Sequence, residues 1–202
     1  MADSPSKYKD RILAWTIRCD GKVVDDSFEL TYAQIYRAIN RIGRATLKFN
    51  AGDMDEQTFD ETDSNLFKPG NTIRIDVGDL KKEQTLFEGI ILETGIKIGG
   101  KARSQMVVEC RDFAYQATQG RKNRIFEKKK DSDMIKEVLK AYGAVKVDAT
   151  TFQYTEMVQY YCSDWDFALS RADANGLFIC TEGKEIKAVS YTHLTLPTMA
   201  VV

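Results

Sequence analysis

Few residues in this 202-residue chain have the types and spacing that chemistry requires. The nearest approach is Asp164 and Asp166, two carboxylates in the stretch QYYCSDWDFALSRADANGLF. A carboxylate pair can divide acid and base work across one bond. On a helix, however, positions two apart diverge by about 200°, so these two cannot serve the same bond. His193 is the only histidine and lies in the C-terminal segment, which leaves the body of the chain without the commonest general base. Cys19, Cys110, Cys162 and Cys180 are far apart and form no C-x-x-C pair, so metal-ligand spacing is absent and buried free thiols are expected. The glycines of Gly95-Ile96-Lys97-Ile98-Gly99-Gly100 open no helix and make no phosphate cradle. No G-x-S-x-G, P-loop or H-E-x-x-H is present. The residues therefore point to no catalytic site, no cofactor and no metal, and the chain reads as a non-enzyme.

Binding chemistry is hardly richer. Arg121 to Lys130 is a basic run that could face a polyanion, but no aromatic ladder beyond Phe126 is interleaved for stacking bases. With a formal net charge of -1 there is no global field to recruit nucleic acid or an anionic membrane, so nucleic acid is not expected as a partner. The hydrophobic fraction of 43% and charged fraction of 29% are those of an ordinary globular protein able to bury a core. No apolar run is long enough to span a bilayer, and MADSPSKYKD lacks the apolar region of a signal peptide. The expectation is assembly in the cytoplasm.

The elements that position these residues are clearer. Ser163 caps a helix, Asp164 and Asp166 load its first turn with the negative charge the helix dipole favours, and Asn175-Gly176 ends it. Trp165, Ala168, Leu169 and Ala172 form a core-facing stripe. Phe167 falls nearly opposite, beside Arg171, and is covered either by its own domain or by another subunit; the residues leave both readings open. Before this helix the chain alternates as strands do: Arg11 to Cys19, a turn at Asp20-Gly21, Ala45 to Phe49, Thr72 to Val77, Thr85 to Glu93 and Ser104 to Cys110, while Phe28 to Ile39 reads either as a helix through Ile35, Ile39 and Ile42 or, as its β-branched and aromatic content favours, as a strand. Gly89 inside one of them suggests a bulge or a bend. Such a density of short strands implies a mostly antiparallel sheet that closes into a barrel or sandwich. From Arg111 the character changes. A second helix with Met134, Ile135, Val138, Leu139 and Tyr142 on one side, stopped by Gly143, is followed by short strands. The fold class is thus α+β, mainly β.

Five segments in order, INRIGRATLKFNAGD, FKPGNTIRIDVG, LFEGII, CRDFAYQATQGRKNRIF and QYYCSDWDFALSRADANGLF, resemble the N-terminal hub region of VgrG-family type VI secretion tip proteins and of phage late control D baseplate hub proteins. The resemblance covers roughly residues 11 to 187 and implies an antiparallel barrel-like hub domain followed by the start of a second, α/β-decorated barrel domain. By it, residues 1–10 are a flexible N-terminus, 11–119 the β-rich hub barrel and 120–187 an incomplete α+β segment of the second hub domain. Residues 188–202 resemble translated sequencing-adapter sequence and are expected to be a non-native tail on a truncated fragment.

What the resemblance implies about function is structural. Such hubs form homotrimeric rings between the inner tube and the spike of a contractile injection machine, so the implied partners are further copies of the chain, the inner tube protein and spike or baseplate components. No small-molecule substrate is implied. Export would then run through the machine itself, or the chain would belong to a virion tail. Trp165, Phe167, Arg171 and Gly176 match the family's helix motif, with an architectural or subunit-interface role. Two other readings follow from the same resemblance: a phage tail baseplate hub, or the delivery portion of a longer, effector-carrying VgrG enzyme.

Overall fold

The computed structural model of the chain describes residues 14–25, 27–50, 65–79, 82–98 and 104–190. The chain divides into two compact units, Met1–Ile35 with Ala45–Cys110, and Tyr36–Arg44 with Arg111–Val202. Seven strands build the sheet of the first: β1 (Ala14–Cys19), β2 (Lys22–Val23), β3 (Leu30–Tyr36), β4 (Arg44–Asn50), β5 (Thr72–Asp79), β6 (Lys82–Lys97) and β7 (Gln105–Asp112). Their order is β2-β1-β5-β6-β7-β4-β3. β1 and β2 form a hairpin whose turn residues, Asp20 and Gly21, have φ of 47° and 78°, the handedness that matches strand twist.

Strand alternation decides which face carries the core. Ile17 and Cys19, Leu47 and Phe49, Ile73 and Ile75, and Met106, Val108 and Cys110 are all buried at alternate positions. Phe49 and Phe67 pack at a centroid distance of 5.1 Å, and Phe28 stands edge-on to both at 6.2 and 5.5 Å. Cys19 donates through its thiol to the Leu66 carbonyl at 2.8 Å, and burial, helped by the neighbouring Asp20 charge, pushes it up to about 11.

The fold class is the expected one, α+β and mainly β with antiparallel sheets; among the described residues the strand order is open, with β2 at one edge and β3 at the other, and no pairing closes it into a barrel. A two-residue β2 leaves little edge on which closure could occur. The expected bulge is elsewhere: Gly89 keeps regular register with Ile73, whereas the shift falls between Ile75↔Phe87 and Asp76↔Thr85, so Leu86 is the extra residue. Its effect is to bring the Thr85 hydroxyl onto Asp76, at 2.6 Å.

The second unit opens on a 3-10 turn, Phe113–Thr118, whose first turn is capped by the Asp112 carboxylate accepting from the Ala114 N–H at 3.0 Å. There follow β8 (Lys122–Lys130), α1 (Asp131–Leu139), β9 (Ala144–Val147), β10 (Gln153–Cys162), α2 (Asp164–Asp173), β11 (Leu177–Glu182) and β12 (Glu185–Ser190). β8 and β10 pair as an antiparallel ribbon, and β11-β12-β9 form a sheet in which β9 runs parallel to β12. Met134, Ile135, Val138 and Leu139 of α1 meet Trp165, Ala168 and Ala172 of α2 in one core with Ile179, Ile186 and Ala188.

The Tyr36–Arg44 segment and residues 111–119, which the sequence groups with the first domain, belong to this unit. Asn40 fastens the segment: its N–H donates to the Ile179 carbonyl at 2.8 Å and its side-chain oxygen accepts from the Ile179 N–H at 2.7 Å. Gly143 serves a purpose different from a helix stop. α1 already ends at Leu139, and a Cβ at Gly143 would run into the Lys184 carbonyl. β12 continues to Ser190, where Ser190 pairs with Leu177, so residues 188–190 sit in a paired strand. The rest of the expected tail (191–202, with His193), the N-terminal residues 1–10 and the loop residues 54–64 lie outside the described residues.

Candidate functional site

The sequence stretch singled out for its helix does form one, and its first residue is the centre of a buried polar cluster. Ser163 caps α2 by accepting from the Asp166 N–H at 3.0 Å, and its hydroxyl donates to Asp166 at 2.7 Å. That arrangement turns Asp166 outward and Asp164 inward. Asp164 is 1% exposed and accepts from Lys122 at 2.6 Å, Tyr142 at 2.8 Å, Gln159 at 2.9 Å and Arg124 at 3.1 Å. These donors come from β8, the turn after α1, and β10, so a single carboxylate ties three elements to the N-terminus of α2.

Burial by itself would push the Asp164 carboxyl up. The bonds from Gln159, Lys122 and Tyr142 and the charge of Arg124 outweigh it and hold the group below its ordinary value. Lys122 is pushed up in turn, chiefly by its bond to Asp164. A carboxylate so placed is a poor base, and its oxygens are already occupied. Its chemistry is structural. Gln159 is fully buried, donates also to the Cys162 carbonyl at 3.2 Å, and keeps its own side-chain oxygen without a partner among the described residues. Just beyond it the ribbon register shifts, and Tyr161 takes a φ of 44° with its N–H on Asn123 at 2.8 Å.

The four residues named from the sequence fall in the same unit. Trp165 and Phe167 are 5% and 4% exposed, and Phe167 stacks on Phe126 of β8 at 5.3 Å. The side of the helix left open between core and subunit interface is therefore core, covered by β8, and Phe167 has no surface to offer a partner. Arg171 faces the buried Asp131 at 3.6 Å and lies over the Tyr154 ring at 5.9 Å. Asn175 donates to Asp131 and to the Arg171 carbonyl, each at 2.8 Å, and Gly176 follows with φ 63°, the left-handed residue that ends the helix. Trp165 and Phe167 thus share the core with the helix pair, whereas Arg171 and Gly176 serve the C-terminal end of α2.

The basic run was the residue pattern hardest to read. Lys122 and Arg124 point inward to Asp164 and Lys129 pairs with Glu137, while Ile125 is 64% exposed. On this strand two cations, Lys122 and Arg124, share the inner side with Phe126 while the aliphatic residue is outside, so hydropathy alternation hides a strand. A second cluster was missed altogether. Tyr36, Asn40, Arg41, Arg44, Arg111 and Trp165 line a cavity of about 410 Å³ in the second unit. Its signal in the sequence is the arginine spacing in YRAINRIGR, which alone says nothing of Arg111. Among the described residues, no group of acidic, cysteine and histidine side chains could hold a metal ion, and no helix is long and apolar enough to cross a membrane.

The sequence model described as the Alg8 N-terminal domain matches residues 9–201, nearly the whole chain. The chain belongs to that family. No curated protein matches it. Among solved structures, this Alg8 N-terminal domain family member is similar to the 43 kDa tail protein of prophage MuSo2 from Shewanella oneidensis, at 12% identity and a TM-score of 0.67, over 88% of this chain and 53% of that one. The E. coli c3393 protein, a type VI secretion system component with structural similarity to the T4 bacteriophage tail proteins gp27 and gp5, matches at 10% identity and a TM-score of 0.62, over 86% and 48%. A chain of the Francisella PdpA-VgrG complex matches at 13% identity and a TM-score of 0.56, over 95% and 31%. At such identities what is shared is the fold, and the Alg8 N-terminal domain family member has the fold of phage tail and VgrG-related proteins. It spans about half the length of the tail protein it matches.

Proposed function

We propose that this chain is a structural hub component of a contractile injection machine, forming a homotrimeric ring between the inner tube and the spike. The observation that carries the reading is the fold match itself, which runs through 86 to 95% of the chain in tail, type VI secretion and VgrG structures. The way the second unit spends its polar groups is compatible with it, since Asp164 and Asp131 are used to lock elements together. In this reading the chain assembles in the cytoplasm, leaves with the machine and performs no catalysis of its own. Trp165, Phe167, Arg171 and Gly176 act as architecture within the subunit.

Mass photometry of the full-length gene product tests the assembly: a trimer is expected, and a protein that stays monomeric across micromolar concentrations would overturn it. Phe167→Ala should lower the melting temperature and leave the trimer intact. A specific observation favours a second reading, a phage tail baseplate hub: the prophage tail protein superposes better than the VgrG complex, with TM-scores of 0.67 and 0.56. Genes for a tail sheath and capsid beside this one would select it, and type VI baseplate genes would select the secretion machine.

A further inference from the structure

We propose that the arginine-lined cavity of the second unit binds a phosphate group. Arg41, Arg44 and Arg111 all line this space of about 410 Å³, and no carboxylate does. The basic run on β8 offers nothing comparable, because Lys122 and Arg124 are committed to Asp164 and Lys129 to Glu137. Arg41 and Arg44 are exposed, and neither forms an ion pair with a carboxylate among the described residues.

The backbone that carries them is fixed on both sides of Arg41. Asn40 holds a left-handed φ of 59°, a conformation non-glycine residues seldom adopt, and keeps it through its two hydrogen bonds to Ile179. Two residues past Arg41, the Gly43 carbonyl accepts from the Asp112 N–H at 3.0 Å, next in sequence to Arg111. The Arg44 guanidinium lies 4.8 Å over the Tyr36 ring. Stacking of this kind uses the flat face of the guanidinium and leaves its in-plane N–H groups free to donate.

The choice of phosphate follows from donor number. A carboxylate presents two oxygens and one charge, whereas a phosphate monoester or inorganic phosphate presents more oxygens and a charge nearer two, and so gains more from a cavity lined by arginines and no carboxylate. The exposed Arg41 and Arg44 forks can each engage separate oxygens of such a group. The inference stands on the geometry of this unit and does not require the hub reading.

The chain has two tryptophans, Trp15 and Trp165, so Trp15→Phe leaves the cavity's own residue as the sole indole reporter. The full chain carrying that change is titrated with inorganic phosphate at constant ionic strength, balanced with chloride. A saturable change in Trp165 emission is expected, with half-saturation on the order of 1 mM or below. Arg41→Gln with Arg44→Gln should weaken it about tenfold or more, and Arg41→Lys with Arg44→Lys should also weaken it, since charge remains and the fork is lost. Arg121→Gln, which removes a cation outside the cavity, should change nothing. Melting temperatures within a few degrees of the parent establish that the variants are folded. The proposal is overturned if phosphate gives no saturable change, if the glutamine or lysine pair binds as tightly as the parent, or if a tetraglutamate peptide saturates the signal where phosphate does not.

Discussion

Asp76 in the first unit and Asp164 in the second are each buried against two cations, and the two do different jobs. Asp76, fully buried, lies on the outer side of the first sheet beneath Arg18 and Arg74, with Thr85 donating from the neighbouring strand. Its partners come from β1, β5 and β6, which are already hydrogen-bonded neighbours. Asp164 gathers Lys122, Arg124 and Gln159 from the paired β8–β10 ribbon and Tyr142 from the turn after α1, which belongs to no ladder with that ribbon. The first cluster decorates a register that backbone bonds already fix. The second adds, through Asp164 and Tyr142, a side-chain link between that ribbon, the turn after α1 and the start of α2. Burial pushes both carboxyls up, and in both the donors win and hold them below the ordinary value.

That contrast can be broken by substitution. Asp164→Ala should have the largest effect, about 2–3 kcal/mol in denaturant unfolding, because the fully buried Gln159 and the Tyr142 hydroxyl lose their acceptor, whereas Lys122 and Arg124, at 38% and 33% exposure, can turn to water. Asp76→Ala should cost about 1–2 kcal/mol, since the Arg18 and Arg74 side chains are 29% and 51% exposed and can turn to water. Equal losses would show that the attachment role assigned to Asp164 is mistaken. Acid sharpens the comparison further. With folded values depressed, both groups contribute fully above the unfolded carboxylate value of about 3.9 and lose that contribution as pH falls through their folded values. The melting temperature should therefore hold between pH 7 and 5 and drop from about pH 4 downward, and Asp164→Asn and Asp76→Asn should each make that drop shallower than in the parent. The smallest change is Thr85→Val, about 1 kcal/mol, which removes a single hydroxyl from the bulge; a loss as large as that of Asp76→Ala would make the bulge the principal support of the cluster.

Much of the fold could be read from residue order because it rests on local rules. β1, the Asp20-Gly21 turn, β5, both helices and the Ser163 cap follow from alternation, turn chemistry and capping, and each is present. β8 and β10 were illegible for a physical reason: their inner side carries Lys122, Arg124 and Gln159, whose place in the interior depends on an aspartate far along the chain. Phe167 was ambiguous on the helix wheel for the same cause, since the strand that covers it was not visible. Gly143 looked like punctuation and is a contact, which only the position of Lys184 reveals. The cavity depended on Arg111 meeting a segment from before β4, and no spacing rule links those positions.

The second unit is discontinuous: its Tyr36–Arg44 segment is made long before Arg111 and everything that follows. During synthesis, which delivers the chain from its N-terminus, that segment must wait, tethered between β3 and β4, until β11 emerges and Ile179 can receive Asn40. Completion of the second unit is therefore timed by one of its last strands, and a gene cut at residue 110 would yield a downstream product permanently missing a piece that only the upstream half can supply.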